Sequence, residues 1–238
     1  MLQFIKALWA KASRTRGSAS RRSPLVTLNL ECLEQRCLPS ILWIGGHGSN
    51  WSNRLNWQGG VLPGPNDTAE FNKNSPSSTV DVNRTIGGVQ LDPGFGSALI
   101  INQGKTLKIS GGSEAAGIIT GPGTFEIQHS FTWSGGRMGL ASNARGTTQI
   151  DKGASMLISG TASAKNLFLS FRTVQNLGDV TFAADQLRFR DSTFTNRGKF
   201  MITGDGDLTL DSRDATSRFD NFGIFSKIGT PGIPGILP

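Results

Sequence analysis

From residue 78 onward the chain alternates apolar and polar positions in short bursts, as in Leu107-Lys108-Ile109 and Phe125-Glu126-Ile127. A period of two sends one set of side chains inward and the other to water, so each burst predicts a half-buried strand. Strands are expected at 79–82, 89–91, 98–101, 106–109, 117–120, 124–127, 147–150, 155–159 and 166–171. Gly pairs, Asn and Asp separate the bursts, as tight turns require. No helix of ordinary length is predicted after residue 41.

Between residues 173 and 227 the alternation becomes a repeat. Thr173 opens a stretch that passes through Asn176 and Gly178 to Val180 and Phe182, then to Leu187. Thr193 opens a second, through Asn196 and Gly198 to Phe200 and Ile202, then to Leu208. A third runs through Asn221 and Gly223 to Phe225. Repeats of about 20 to 25 residues mark solenoids, in which one unit cannot bury its apolar side alone and copies must stack. A sandwich or barrel also has many short strands, but copies of near-constant length fit parallel stacking of each strand on its equivalent. The predicted fold class is therefore all-β: a single-stranded parallel β-helix, right-handed as parallel crossovers are. Val180, Phe200 and Phe225 should share one inward column, Phe182 and Ile202 a second, and Leu187 and Leu208 a third. Asn176, Asn196 and Asn221 should form a corner ladder of stacked amides. Gly178, Gly198 and Gly223 are expected to supply the tight bend beyond it.

Charge divides the chain. Residues 1–40 carry seven Lys/Arg and two Glu, net +5, while the whole chain is +7, so the remainder is close to neutral at +2. A nearly neutral body offers no phosphate-tracking stripe, and no nucleic-acid partner is expected. Both cysteines, Cys32 and Cys37, lie in the basic leader, so the rest of the chain must gain its stability from packing without disulfides. Residues 1–12 place Leu2, Ile5 and Trp9 at helical spacing, too short a run to span a bilayer, and no transmembrane segment is expected. Residues 13–24, rich in Ser and Arg, are expected to be disordered. The predicted organisation is a basic export leader over 1–40, a Trp/Gly-rich cap over 41–77, a parallel β-helix over 78–228 and a Pro/Gly-rich tail over 229–238.

Two segments carry family resemblances. Leu30, Glu31, Leu33, Glu34, Arg36, Leu38 and Ser40 follow an Arg-rich stretch and resemble the LEPR-XLL leader motif of large exported planctomycete-type surface proteins, with Pro39 in place of the second Leu of the final pair. The resemblance implies export, to the cell surface or the extracellular space. Further on, Trp51, Asn56, Trp57, Pro63, Asp67 and Phe71 are similar to the opening of exported bacterial β-helices with autotransporter-type strand repeats. Such an opening implies a cap, for which there is a physical reason. The first coil of a solenoid exposes an apolar end and unpaired backbone groups, which bulky rings can plug.

Residues able to carry chemistry are few. His47 and His129 each stand alone, and no nucleophile motif, phosphate loop or Cys-x-x-Cys is present. Asp185, Arg188, Arg190, Asp191, Asp205, Asp207 and Asp211 are the candidates for a polysaccharide lyase or hydrolase groove, which needs such groups to converge. The same residues are equally well explained as solvated outward positions. The repeat is expected to bring Asp191 near Asp211, with Arg188, Arg190 and Arg213 to neutralise them. Gly204-Asp205-Gly206-Asp207 is a single fragment of a calcium nonapeptide, which leaves calcium as the alternative and no cofactor as the expectation. Trp43, Trp51, Trp57 and Trp133 would stack on sugar rings if exposed, Trp51 and Trp57 being the candidate glycan-binding pair, or else serve cap and core. The expected role is a non-catalytic exported structural or adhesion-type surface protein, whose partners are cell-surface components such as glycans. The alternatives are a polysaccharide-active enzyme and a glycan-binding module.

Overall fold

The computed structural model describes residues 39–140, 145–160, 167–211 and 216–228. Residues 1–38, with the motif positions Leu30, Glu31, Leu33, Glu34, Arg36 and Leu38, and residues 229–238 lie outside them. The described strands form a right-handed parallel β-solenoid of about seven turns. Each turn visits three sheets in sequence. The first sheet has nine strands, from Ser40–Leu42 at one edge to Ile224–Ile228 at the other. The second runs from Arg84–Ile86 to Arg218–Asn221 and the third from Ser78–Val80 to Asp207–Leu210, with seven strands each. No α-helix occurs among the described residues.

The register turns the sequence repeat into columns. Val180 lies against Phe200 and Phe200 against Phe225, Phe182 against Ile202, and Leu187 against Leu208. Val180, Phe182, Leu187, Phe200 and Ile202 are buried, as the alternation requires. Each fully buried side chain of this size contributes roughly 1.5–3 kcal/mol, so the columns are the main source of stability in a unit without disulfides. Phe125 meets Phe131 edge to face, and Phe194 meets Phe200 in the same way three turns further along the same two columns.

Strands expected at 98–101, 106–109 and 124–127 are found as Ala98–Ile101, Thr106–Ile109 and Thr124–Ile127. Six others escape the alternation, among them Gly112–Ala115, whose Gly-Ser-Glu-Ala run has little apolar content. That strand exists because Gly88–Leu91 and Ser130–Trp133 pair with it on either side, and context overrides propensity. The division at residues 40 and 77 also shifts. Ser40–Leu42 and Thr68–Phe71 are already rungs of the first sheet, paired in register, so the cap is built into the stack. What crosses the end is the stretch between them, which makes two 3-10 turns, Arg54–Asn56 and Gln58–Gly60.

Candidate functional site

The corner between the second and first sheets holds the Asn ladder. Asn176 pairs with Asn196 and Asn196 with Asn221 at the ends of their strands. The Asn176 amide donates to Asn196 Oδ1 at 2.7 Å and to the Lys199 carbonyl at 3.0 Å. Asn196 repeats the pattern one turn on, donating to Asn221 Oδ1 at 2.6 Å and to the Ile224 carbonyl at 3.0 Å. Asn176 and Asn196 are fully buried. A buried amide must be satisfied or it costs stability, and each turn here satisfies its neighbour.

The reason for these residue types differs from the expectation. Neither the three Asn nor Gly178, Gly198 and Gly223 adopt positive φ. The glycines are needed because the backbone of the turn below passes too close for a Cβ. One added at Gly198 would lie 2.0 Å from the Gly178 carbonyl oxygen, and one at Gly223 would lie 2.1 Å from that of Gly198. Each turn therefore rests on a glycine of the next.

The described non-glycine residues with positive φ sit at a different corner, between the third and second sheets. Phe171 (φ 51°) and Asp191 (φ 47°) follow Ser170 and Arg190, which are register partners. Asp tolerates this conformation, which gives Asp191 a backbone role. Asp211 follows Leu210, the partner of Phe189, so it falls level with Arg190 and not with Asp191. The expected Asp191–Asp211 stack is thus out of register by one residue.

The remaining candidates distribute as follows. Asp185 and Asp205 line an open groove of about 340 Å³ with Ala183, Ala184, Thr203, Gly204 and Gly206. Asp207 lies on the third sheet opposite Gln186. Among the described residues, no three His, Cys, Asp or Glu side chains group as metal ligands. His47 and His129 are exposed. A second open groove, of about 330 Å³, is lined by Asn83, Arg84, Thr85, Thr106, Lys108 and Glu126 on the second sheet, where Lys108 and Glu126 pair at 2.8 Å. That carboxylate holds the Lys108 ammonium above its usual pKa.

The tryptophans are not a sugar-stacking surface. Trp43, Trp51 and Trp57 are all within 1% of full burial, and Trp133 is buried in the core. Trp57 meets Trp43 at 4.9 Å and Trp51 at 4.5 Å between ring centroids, and all three surround Phe71. The Trp57 indole N–H donates to the Trp51 carbonyl and that of Trp43 to the Pro76 carbonyl. The expectation of glycan binding by Trp51 and Trp57 fails because neither ring has a face in solvent. Their large area is used to plug the solenoid end.

Sequence reading missed two features. Arg172 is buried, and its Nε and Nη2 donate to Thr148 Oγ1 and the Thr147 carbonyl while Nη1 has no partner among the described residues. Burial lowers its pKa to about 10. The other is a guanidinium–aromatic row on the third sheet. Ile118, Arg137, Phe168, Arg188 and Thr209 are successive register partners. Arg137 lies over the Phe168 ring at 4.9 Å and Arg188 at 5.8 Å, while Arg190 lies over Phe171 at 5.2 Å. No two members of this row are close in sequence, so only the register reveals it.

The chain matches no protein-family model, no curated protein and no solved structure. Among the described residues, no helix is long and apolar enough to cross a membrane.

Proposed function

We propose that the chain is an exported, non-catalytic structural or adhesion-type protein of a cell surface. The observation that carries this reading is the Asn ladder with its glycines, because the residues the repeat preserves are spent on joining one turn to the next. A selected stack of this kind favours a rigid scaffold with regular faces. The candidate polar groups of the last turns support the same reading. Asp191 serves a backbone corner and the Arg188 Nε donates to the side-chain oxygen of Gln186, Oε1, at 2.7 Å. Export is supported by the resemblance of Leu30, Glu31, Leu33, Glu34, Arg36, Leu38 and Ser40 to a surface-protein leader.

Fractionation of cells producing the full chain tests the proposal. The protein is expected in the surface or extracellular fraction and is expected to be cut by protease added to intact cells. Recovery in the cytosol with residues 1–40 still attached would overturn export. Turnover of a polysaccharide by the purified chain, lost on substitution of Asp185 or Asp205, would overturn the non-catalytic reading.

A further inference from the structure

We propose that the third sheet carries a binding site for an acidic polysaccharide, centred on the Arg137–Phe168–Arg188 row. This deepens the surface-scaffold reading, on which it rests, by naming the partner.

On the second sheet Lys108 pairs with Glu126 and Arg218 with Asp220, both at 2.8 Å, while Arg84 and Arg172 have no carboxylate within ion-pair distance among the described residues. On the third sheet Arg137, Arg188 and Arg190 have no carboxylate within ion-pair distance among the described residues. They lie instead against the rings of Phe168 and Phe171. A ring attracts a guanidinium and fixes its plane, but it accepts no N–H hydrogen bond in that plane. The guanidinium edges of Arg137 and Arg188 are therefore preorganised for carboxylate or sulfate, which they can grip with two parallel bonds, whereas the Arg190 Nε is buried. Gln186 fixes one Arg188 donor from the side at 2.7 Å.

Spacing and surroundings select the polymer. Arg137 and Arg188 are two rungs apart in the register, roughly twice the 4.8 Å strand separation. That distance is close to two sugars of an extended chain, so alternate acidic groups along a uronate or sulfated polymer can meet successive guanidiniums. Below the row the same face continues with half-buried Ile118, whose register partner is Ala98, and with half-buried Ile100 two residues beyond Ala98 on that strand. These offer a flat apolar strip for the C–H faces of sugar rings. A single-stranded nucleic acid is disfavoured by the same contacts, because it needs open aromatic faces for base stacking and Phe168 is already covered by guanidinium on both sides.

The test is binding of the purified full chain to sodium polygalacturonate by titration calorimetry at low salt, beside neutral dextran and a single-stranded oligonucleotide. Because the leader is itself basic, the decisive comparison is between variants that share it. Arg137→Gln with Arg188→Gln should weaken polygalacturonate binding at least about tenfold, the loss expected for two charge-assisted contacts. Lys108→Gln on the second sheet should leave it unchanged, and dextran should not bind. Equal affinity of the double variant and the parent, or tighter binding of the oligonucleotide than of polygalacturonate, would overturn the site. Circular dichroism checks each variant's fold, and Arg188→Gln alone is read by the same criteria if the double variant does not fold. Binding by the purified chain does not depend on where the cell places it, so failure here and failure of export are separate results.

Discussion

The two ends of the described stack solve the same problem in opposite ways. At the first end further chain meets the first and third sheets. Ser40–Leu42 pairs with Thr68–Phe71, and the third sheet's first strand is covered by Ser49–Trp51, with the Thr79 N–H donating to the Ser49 carbonyl and the Trp51 N–H to that of Thr79. Three tryptophans then close the apolar interior. At the other end the last rungs are Asp207–Leu210, Arg218–Asn221 and Ile224–Ile228. There Phe225 is 46% exposed and Phe222 68%, although Phe225 stacks flat on Phe200 and Phe219 on Phe194. The aromatic columns are thus the same device at both ends. Among the described residues, what differs is whether chain crosses over the top of them. A solenoid needs such crossing for two reasons, since its ends expose both apolar surface and unpaired strand edges.

The largest expected effect breaks the closed end. Trp57→Ala removes the ring that touches both other tryptophans and Phe71, and should cost about 3–5 kcal/mol, the range for large buried aromatics. Phe225→Ala removes a half-exposed ring from the open end and should cost only about 1–2 kcal/mol. Both are read from urea midpoints of the full chain. Equal losses would mean that Phe225 is covered in solution, and the contrast between the ends would vanish.

A second prediction asks whether contact between turns depends on absent side chains. Gly198→Ala places a Cβ 2.0 Å from the Gly178 carbonyl oxygen, a backbone atom that cannot rotate away. The turns must separate locally, at a cost of about 1–3 kcal/mol. Gly96→Ala is the matched control, with nothing within 4 Å of the new methyl and no positive φ. It should be neutral or stabilise by about 0.4–1 kcal/mol through the unfolded chain. A Gly198→Ala protein with the parent's urea midpoint would show that the turns are more loosely stacked than described here.

The solenoid was legible because identical positions recur, and register follows from recurrence. Asn176, Asn196 and Asn221 could be aligned by eye, and their ladder is found where the alignment put it. The role of the glycines was not legible, because close approach between turns and a left-handed bend select the same residue. Asp191 and Asp211 misled because the spacing between copies is not constant, and one extra residue shifts a corner out of step. The fate of the tryptophans turned on whether residues 43–67 lie over the end or beside it, which no periodicity encodes. The Arg137–Phe168–Arg188 row was invisible for a third reason: its members come from three separate turns, two of them before the regular repeat begins.

The smallest expected effect concerns how the cap is latched to the first turn. Asp81 follows the third sheet's first strand, and its carboxylate accepts from the Ser52 N–H at 2.9 Å and from the Ser52 hydroxyl. Burial by itself would raise the Asp81 pKa, but the Ser52 hydrogen bonds, helped by the nearby Arg84 charge, outweigh it and hold the carboxyl below its ordinary value of 3.8. A carboxylate whose pKa is lowered by folding binds its proton later than the unfolded chain does. Its contribution is therefore complete above the ordinary value and is lost as pH falls through the lower folded one. Asp81→Asn should melt slightly below the parent at neutral pH, and the difference should shrink as the pH falls below 3.8. Thermal midpoints of the two proteins across that range measure it. A gap that stays constant into acid would show that the shape of the side chain, and not its charge, fastens Ser52 and the tryptophan cap to the coil beneath.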